Sequence, residues 1–308
     1  MKTPRWFLHR NFISILLVPF SWVYYFVSCI VFNVRKRKQI SSNRPIVCVG
    51  NILAGGVGKT PIVREIATFF DAPVVMRGYK KSVQTGNVGD EATMLANAGL
   101  GVHVGDRKSN VILLNKQKQN NLPIVMDDGL QNPIIKKDVS IMVFDEGLGF
   151  GNGFMLPAGP LRQPQSAIKN ADVIVVIKSK YVNKNFILPY GIPVFYAENK
   201  TISPYDENEK LVAFAGIGYP EKFFGALHNV VVKKAFPDHW QYTNQDIENL
   251  ILLAEKHNAK LVTTEKDWVR LPEKYKNNIK YAKLVTVIET TFYNWLKEKI
   301  ECQQLIKK

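Results

Sequence analysis

Residues 45–70 read PIVCVGNILAGGVGKTPIVREIATFF, and this stretch decides the fold. Its first six residues are apolar, mostly β-branched, and end in glycine, a pattern that predicts a short buried strand. From Lys59 onward, apolar residues recur at helical spacing as far as Phe70. Pro61 falls in the first turn of that helix, where its missing donor costs little. A strand, a glycine-rich loop and a helix in this order are what a phosphate-binding loop requires.

The loop between this strand and helix has a composition suited to phosphate, because glycine lets backbone N–H groups converge on phosphate oxygens near the start of a helix. Lys59 is placed to reach the β- and γ-phosphates of a nucleotide, and the Thr60 hydroxyl to coordinate Mg²⁺. The common pattern has glycine at position 53, so Leu53 makes this a variant loop. The alternative, a glycine-rich turn that merely precedes Lys-Thr, is disfavoured by the flanking strand and helix. The residues predicted to bind the nucleotide are Leu53, Ala54, Gly55, Gly56, Val57, Gly58, Lys59 and Thr60.

A second apolar run, residues 122–126, ends in two carboxylates, Asp127 and Asp128. Opposite Thr60, either carboxylate could hold Mg²⁺ or its water ligands, and the sequence does not assign the metal between them. An isolated Asp-Asp at the end of a strand is usually a turn or a helix cap. A phosphate loop earlier in the chain favours the metal site instead, so we predict that Thr60, Asp127 and Asp128 bind Mg²⁺.

The amino-terminal residues 1–44 differ in character from the rest of the chain. Residues 12–32 carry no charge and are rich in aromatic and aliphatic side chains. This run matches the length of about 20 residues that a membrane-crossing helix needs. Its length, and the absence of an A-x-A-like site after it, disfavour a cleaved signal peptide. Residues 1–44 are therefore predicted to be a hydrophobic membrane segment with a basic flank.

How this segment meets the bilayer is left open by the sequence. Pro19 is expected to interrupt a helix near its middle, because it lacks a donor and its ring clashes with the preceding turn. The segment could either span the bilayer or lie in its interface, and the sequence does not decide between these arrangements. Four basic residues at 35–38 favour a body on the cytoplasmic side of the membrane. The same cluster would attract anionic lipid, at about 1 kcal/mol per residue.

The net charge of +15 is unevenly distributed along the 308 residues. Residues 1–44 hold eight of the 41 Lys and Arg and none of the 26 acids, so the excess lies beside the apolar run. This position favours a membrane surface over nucleic acid, and the sequence contains no recognised nucleic-acid-binding module. The cysteines Cys29, Cys48 and Cys302 lack the spacing of a metal site or a disulfide framework. Reduced thiols in a cytosolic compartment are predicted.

Several ordered motifs resemble those of the tetraacyldisaccharide 4'-kinases. The loop at 49–61 is similar to the phosphate loop of that family, and Leu156-Pro-Ala-Gly-Pro-Leu-Arg162 is especially distinctive. The resemblance covers roughly residues 1–270 and is therefore more specific than a phosphate loop alone. The other matching motifs are Arg77-Gly-Tyr79, Gly89-Asp-Glu91, Val104-Gly-Asp-Arg107, Asp127-Asp-Gly-Leu-Gln131, Phe214-Ala-Gly-Ile-Gly218, Phe236-Pro-Asp-His239 and Thr263-Thr-Glu-Lys-Asp-Trp268.

The resemblance implies a kinase that uses ATP and Mg²⁺ to phosphorylate the 4'-hydroxyl of a tetraacylated glucosamine disaccharide 1-phosphate, which gives the lipid A precursor lipid IVA. It also implies work at the cytoplasmic face of the bacterial inner membrane, because a lipid acceptor stays in the bilayer. The main rival, from another class, is a membrane-tethered nucleotide-binding regulator or transport-associated ATPase. Such a protein would hydrolyse ATP without a lipid acceptor.

The resemblance further implies roles for individual side chains. Asp90 becomes the candidate base for the sugar hydroxyl, with Glu91 beside it, since a carboxylate can orient the incoming oxygen and accept its proton. Without the family, Gly-Asp-Glu is a common helix opening. His239 corresponds to a family histidine near the active-site cleft, while Arg77 and Arg162 are candidates for binding acceptor phosphate or transition-state charge in pairs of hydrogen bonds. Either arginine could instead form a structural ion pair. The predicted catalytic residues are Lys59, Arg77, Asp90, Glu91 and His239.

The chain differs from the family pattern at three places. The family often has a glutamate after the Leu-Arg pair, where this chain has Gln163. It often reads Phe-Gln-His after Asp-Asp-Gly, where this chain has Leu130-Gln131-Asn132, and Lys80 replaces a glycine after Arg-Gly-Tyr. Gln163 matters most, because any metal or charge role of the glutamate would be lost or moved to a neighbour.

Apolar runs alternate with helical patterns along the chain, which predicts an α/β fold with a P-loop NTPase-like, mostly parallel sheet, a second, smaller α/β domain and an amino-terminal membrane helix. We predict a kinase domain at 45–203 and the second domain at 204–308, with a polar linker at 198–210. Ligands of parallel sheets bind at the carboxyl ends of the strands, where Gly50 and Asp127 would place their loops. The predicted strands are 45–50, 72–76, 100–104, 122–127, 139–144, 171–177, 193–197, 211–215, 229–235, 260–264 and 283–288.

Overall fold

A computed structural model describes residues 4–77, 89–117, 122–180, 182–183, 186–189 and 191–307 of the chain. By contacts, these residues form two compact units. The first unit comprises Pro4–Glu198 and Val287–Lys308, and the second comprises Asn199–Thr286. The carboxyl-terminal residues therefore group with the first unit, although the sequence placed them in a second domain. The predicted division of the chain into folding domains stays a prediction.

Every predicted strand is present. Strand β7 is longer than predicted and takes in the start of the polar stretch at 198–210, because Thr201 and Ile202 are β-branched and favour extended backbone. The strands are β1 Ile46–Gly50, β2 Val74–Arg77, β3 Val102–Gly105, β4 Ile124–Asp127, β5 Val139–Asp145, β6 Val173–Ile177, β7 Val194–Ile202, β8 Leu211–Ala215, β9 Val230–Ala235, β10 Lys260–Thr264 and β11 Lys280–Ile288.

The helices alternate with these strands, and the helix that the sequence predicts from Lys59 to Phe70 has those bounds. Short 3₁₀ helices lie at Arg5–Phe7 and Gln165–Asn170. The α-helices of the described residues are α1 Phe12–Leu16, α2 Val18–Lys36, α3 Lys59–Phe70, α4 Asp90–Asn97, α5 Arg107–Lys116, α6 Pro220–Phe224, α7 Asn244–Lys256, α8 Glu265–Val269, α9 Glu273–Lys276 and α10 Thr290–Lys307.

Each unit contains parallel strand pairs, so the predicted mostly parallel α/β fold is confirmed. In the first unit the strand order is β3-β2-β4-β1-β5-β6-β7, and in the second it is β11-β10-β8-β9. Strand β1 lies between β4 and β5, with Val49 opposite both Asp127 and Ile141. Because β1 and β4 are parallel neighbours in this register, the loop after Gly50 and the two carboxylates emerge at the same edge of the sheet.

The largest buried cluster of the first unit lies where two helices, α3 and α10, pack against its strands. Helix α3 buries Ile62, Val63 and Ile66 at 3.6-residue spacing against the strands. Helix α10 adds a stripe four residues apart, Phe292, Leu296 and Ile300, to the same cluster, and all three side chains are buried. This stripe explains why the last helix groups with the first unit.

The amino-terminal segment forms two helices that a single residue separates. The break falls at Leu17, between α1 and α2, and Pro19 occupies the first turn of α2, where proline is tolerated. The predicted interruption beside Pro19 is therefore present, but it lies at Leu17, nearer the start of the segment than its middle. Helix Val18–Lys36 is long and apolar enough to cross a membrane, judged by length and composition alone. Its exposed apolar side chains include Phe20, Trp22, Val23, Phe26, Val27 and Ile30.

Candidate active site

The loop between β1 and α3 has the backbone of a phosphate cradle. Gly55 has a φ of 122° and Gly58, which caps helix α3, has a φ of 83°, conformations that L side chains rarely adopt. A Cβ atom built on Gly55 or Gly56 meets nothing within 4 Å in the part of the chain that the structure describes. The loop is therefore open on its glycine side, at the amino-terminal end of a helix.

The other side of the loop is fastened to residues 160–162. Leu53 is buried and forms an antiparallel bridge with Leu161, the backbone N–H of Ala54 donates to the Pro160 carbonyl at 2.7 Å, and the N–H of Arg162 donates to the Ile52 carbonyl at 2.7 Å. The glycine of the common pattern is replaced here because the Leu53 side chain packs into the core. Val57 is buried in the same cluster, so at both positions only backbone could face a phosphate.

Asp127 is a buried carboxylate beside the start of α3. The Thr60 hydroxyl donates to its Oδ2 at 3.3 Å. Its Oδ1 is buried and accepts no hydrogen bond from the described residues. Burial raises the pKa of Asp127 to about 6, against the opposing effect of Lys59. A buried carboxylate oxygen without a donor is a vacant ligand for a cation.

Asp128 has the opposite electrostatic environment. Lys59 Nζ lies 3.4 Å from its Oδ1 and Arg162 Nη1 lies 3.0 Å from its Oδ2. Burial opposes ionisation, but these two cations hold the pKa of Asp128 below its usual value. The residue has a φ of 50°, which turns the chain sharply after β4. The predicted phosphate loop and the predicted metal carboxylates are thus brought into direct contact.

Two half-buried cations that the prediction of the site did not include hold the turn after β4. Arg107 Nη2 donates to the carbonyls of Asp127 at 2.6 Å and Asp128 at 3.1 Å. Lys137 Nζ donates to the carbonyls of Leu130 and Asn132. The motif that contains Arg107 was visible in the sequence, but no sequence signal says that its guanidinium caps main-chain carbonyls of a distant strand.

Gln163, the position where the family often has glutamate, takes part in an amide network. Gln131 Nε2 donates to Gln163 Oε1 at 3.0 Å and to the Asn51 carbonyl at 2.7 Å. A neutral glutamine keeps the acceptor that this contact needs. Compared with the glutamate that the family often has at this position, Gln163 lacks a negative charge but keeps the hydrogen bond to Gln131.

The donor atoms around Thr60 fit Mg²⁺ better than a transition metal. A hydroxyl and two carboxylates are hard oxygen ligands, and Mg²⁺ is usually held by one or two carboxylates together with waters and substrate phosphates. The described residues contain no group of three or more His, Cys, Asp and Glu side chains that could form an all-protein metal site. The unbonded Oδ1 of Asp127 supplies the free ligand that such a site requires.

Arg77, Asp90 and Glu91 flank residues 78–88. That range, which includes Tyr79 and Lys80, lies outside the described part of the chain. Arg77 is the last residue of β2, is exposed, and lies at the carboxyl edge that also carries Asp127, since Val75 pairs with Met126. Asp90 and Glu91 occupy the first turn of α4 and are half-buried. The catalytic roles of all three stay predictions.

His239 belongs to the second unit, in a turn after β9. It has a φ of 60°, its N–H donates to the Gly216 carbonyl at 3.1 Å, and its Nε2 lies 3.3 Å from Lys266 Nζ. The fully buried Asp267 fixes this turn, since its carboxylate accepts from the Gly216 N–H at 2.9 Å and the Tyr242 hydroxyl at 2.8 Å. The role of His239 in catalysis stays a prediction.

The buried Asp127 gives a prediction about stability. Without Mg²⁺, Asp127→Asn should be more stable than the wild type at pH 7 by about 1–3 kcal/mol, because a carboxyl pKa raised from 3.8 to about 6 means that the folded state disfavours the charge. The advantage should be full above about pH 6 and vanish below about pH 4. Melting temperatures in a chelator, which shift by roughly 2–4 °C per kcal/mol, would measure it.

Magnesium supplies the control for this prediction. Adding Mg²⁺ should raise the melting temperature of the wild type and leave that of Asp127→Asn nearly unchanged, because the variant lacks the charged ligand. If the wild type were more stable than Asp127→Asn in chelator at pH 7, the conclusion that the buried Asp127 charge destabilises the folded protein would be contradicted.

A parallel sheet, an open glycine loop ending in Lys59-Thr60 and a carboxylate pair against it define a P-loop phosphotransferase fold and site. The sequence profile of the family described as tetraacyldisaccharide-1-P 4'-kinase matches residues 13–301. The chain belongs to the tetraacyldisaccharide 4'-kinase family.

Individual relatives agree with this membership. The tetraacyldisaccharide 4'-kinase of Rickettsia africae is 36% identical over 297 residues and covers 90% of this chain and 91% of the relative. That of Rickettsia bellii is 37% identical over 297 residues and covers 87% of this chain and 89% of the relative. The crystal structure of LpxK from Aquifex aeolicus, described as an apo form in complex with ATP, has a TM-score of 0.72 at 23% identity. It covers 94% of this chain and 98% of that chain, which shows a shared fold.

Proposed function

We propose that this protein transfers the γ-phosphate of ATP to the 4'-hydroxyl of a tetraacylated glucosamine disaccharide 1-phosphate and so forms lipid IVA. Family membership supports this reaction. The observation that carries it is the contact between Lys59-Thr60 and the pair Asp127-Asp128, which puts a phosphate cradle and hard cation ligands at one edge of the sheet.

The phosphate side of the reaction is assigned to the first unit. Backbone N–H groups of residues 53–60 and the Lys59 ammonium would hold the polyphosphate. Thr60 and Asp127 or Asp128 would hold Mg²⁺, which supplies neutralisation of the charge on the phosphoryl oxygens. Arg162, already aimed at Asp128, would bind a phosphoryl oxygen through its guanidinium.

The acceptor side rests on Asp90, Glu91, His239 and Arg77. Asp90 would orient the 4'-hydroxyl in line with the γ-phosphate and accept its proton as the new P–O bond forms and the bond to ADP breaks. Glu91 lies beside it, and His239 would donate to phosphate or assist Asp90. Arg77 would bind phosphate at the edge of the sheet.

The amino-terminal segment supports a site of action at the cytoplasmic face of the bacterial inner membrane. Helix α2 exposes apolar side chains along most of its length and ends in Arg35 and Lys36, which Arg37 and Lys38 follow directly. An apolar face beside a basic cluster suits a bilayer that contains anionic lipid. This arrangement supports a membrane surface and a phosphorylated lipid, rather than nucleic acid, as the partners of the basic excess.

An acceptor-dependence assay tests the proposed reaction. Wild-type protein with labelled ATP, Mg²⁺ and the disaccharide lipid in mixed micelles should produce labelled lipid, and ADP should form in equal amount. Without the lipid, ADP release should fall by at least about 100-fold, since water lacks the binding contacts of the acceptor. Rapid ADP release that is indifferent to the lipid would favour the regulator or transport ATPase.

A further inference from the structure

Residues 151–162 form a loop that we call the strap, and Asn152 ties it together. The Asn152 side chain is buried and makes three hydrogen bonds. It accepts from the Phe154 N–H at 2.9 Å and donates to the carbonyls of Ala158 at 2.8 Å and Trp6 at 2.6 Å. One amide thus joins the strap, at Phe154 and Ala158, to the amino-terminal segment.

The amino-terminal helices sit on this strap through one polar side. The Ser21 hydroxyl, on α2, donates to the Met155 carbonyl at 2.8 Å and accepts from the Ala158 N–H at 3.3 Å. Arg10 Nε donates to the Asn152 carbonyl at 3.0 Å. Ser21 is 8% exposed, whereas Phe26 on the same helix is 68% exposed. Helix α2 therefore has one side fixed to the strap and another available to lipid.

The far end of the strap is the wall of the phosphate loop. Its residues Pro160, Leu161 and Arg162 make the backbone contacts to residues 52–54, and Arg162 also reaches Asp128. The strap is closely packed between its two ends: a Cβ atom on Gly159 would lie 2.0 Å from Asn152 Oδ1. A tightly packed segment transmits a shift at one end to the other, because it has no room to absorb it.

We propose that Ser21 and Asn152 are positioning residues for phosphoryl transfer, which hold the strap between the lipid-facing helices and the phosphate loop. Seating α1 and α2 on a membrane then steadies the backbone at 52–54 and the Arg162 guanidinium for the phosphates of ATP. This inference rests on the proposed kinase function, and it extends that function by making nucleotide binding depend on the membrane segment.

An isosteric pair tests the hydroxyl of Ser21. Ser21→Thr keeps the hydroxyl and Ser21→Val does not, while both add the same bulk to the helix. The valine variant should bind ATP roughly tenfold more weakly than the threonine variant, the loss expected for two hydrogen bonds. It should sediment equally well with vesicles of phosphatidylethanolamine and phosphatidylglycerol. ATP affinities that agree within twofold between folded variants would overturn the proposal.

Asn152→Asp provides a second variant, because aspartate keeps the acceptor for Phe154 but loses both donors. It should raise the KM for ATP by about tenfold with a smaller change in kcat, as expected when ground-state positioning is lost. An unchanged KM for ATP would count against the strap. The wild-type assay for labelled lipid separates this outcome from failure of the kinase function itself.

Amide hydrogen exchange, measured on the wild type, tests the coupling without depending on whether a variant folds. Adding the same vesicles, without nucleotide, should slow exchange of the Ala54 and Arg162 amides, the two that join the strap to the loop. Phe26→Ser, which weakens the lipid-facing side, should lose this slowing. Exchange rates at both amides that do not respond to vesicles in the wild type would refute the coupling.

Discussion

Lys59→Ala is expected to lower kcat for phosphoryl transfer by about 10²–10³-fold, the cost of removing one preorganised charge from a transition state. The Lys59 side chain is only 12% exposed, and its Nζ lies 3.4 Å from Asp128 Oδ1. Without nucleotide its partner is thus the predicted metal carboxylate, and with nucleotide it is expected to move to the β- and γ-phosphates. The loss should appear in kcat measured at saturating ATP and lipid.

Lys297→Ala is the matched control, because Lys297 is an exposed lysine on α10, away from the loop. It should retain wild-type kcat. Lys59→Arg should recover little, since a planar guanidinium does not reproduce a compact ammonium in the phosphate loop. A Lys59→Ala protein that turns over within tenfold of the wild type would remove the phosphate loop from the mechanism.

Asp90→Asn is expected to lower kcat by about 10²–10⁴-fold, the usual contribution of a general base, while ATP binding stays near that of the wild type. Asparagine keeps the size and the acceptor oxygen of the side chain but cannot take the proton of the 4'-hydroxyl. Because Asp90 stands in the first turn of α4, loss of its charge should also cost a few tenths of a kcal/mol in stability through the helix dipole. Parallel measurements of kcat and of the Kd for ATP separate the two effects.

Glu221→Gln controls for the helix-dipole effect, because Glu221 is an exposed acid in the first turn of α6. It should lose a similar small amount of stability and no transfer activity. ATP hydrolysis that persists in Asp90→Asn at the wild-type rate, with or without lipid, would instead assign Asp90 to helix capping. The nucleotide-binding regulator would then be the better description of this protein.

The secondary structure and the phosphate chemistry followed from local sequence. β-Branched runs such as 46–49 and the helical period from Ile62 to Ile66 are local patterns. Such patterns predict secondary structure without knowledge of the fold. The same holds for Lys59-Thr60, whose spacing to the glycines is fixed along the chain. Pro19 also predicted an interruption of the amino-terminal helix, but not its position at Leu17, because proline suits the first turn of a new helix as well as a kink.

The contacts that Arg162 and Arg107 make around the carboxylate pair could not be derived from local sequence. Arg162 meets Asp128 at a separation of 34 residues, and Arg107 caps the carbonyl of Asp127 across 20 residues. No helical or strand repeat in the sequence predicts either of these contacts. Such contacts depend on which strands are neighbours in the sheet, and that order arises only when the whole core is packed.

By itself, the sequence determined a parallel α/β protein with a nucleotide loop, a carboxylate pair and an apolar amino-terminal segment, because each of these is written in residues close together along the chain. The tertiary structure decided that Leu53 is a packing residue, that α10 groups with the first unit, and that Asp127 and Asp128 have opposite pKa shifts. The physical reason is that burial and electrostatic environment are set by distant neighbours: the same Asp-Asp pair in another fold would titrate differently.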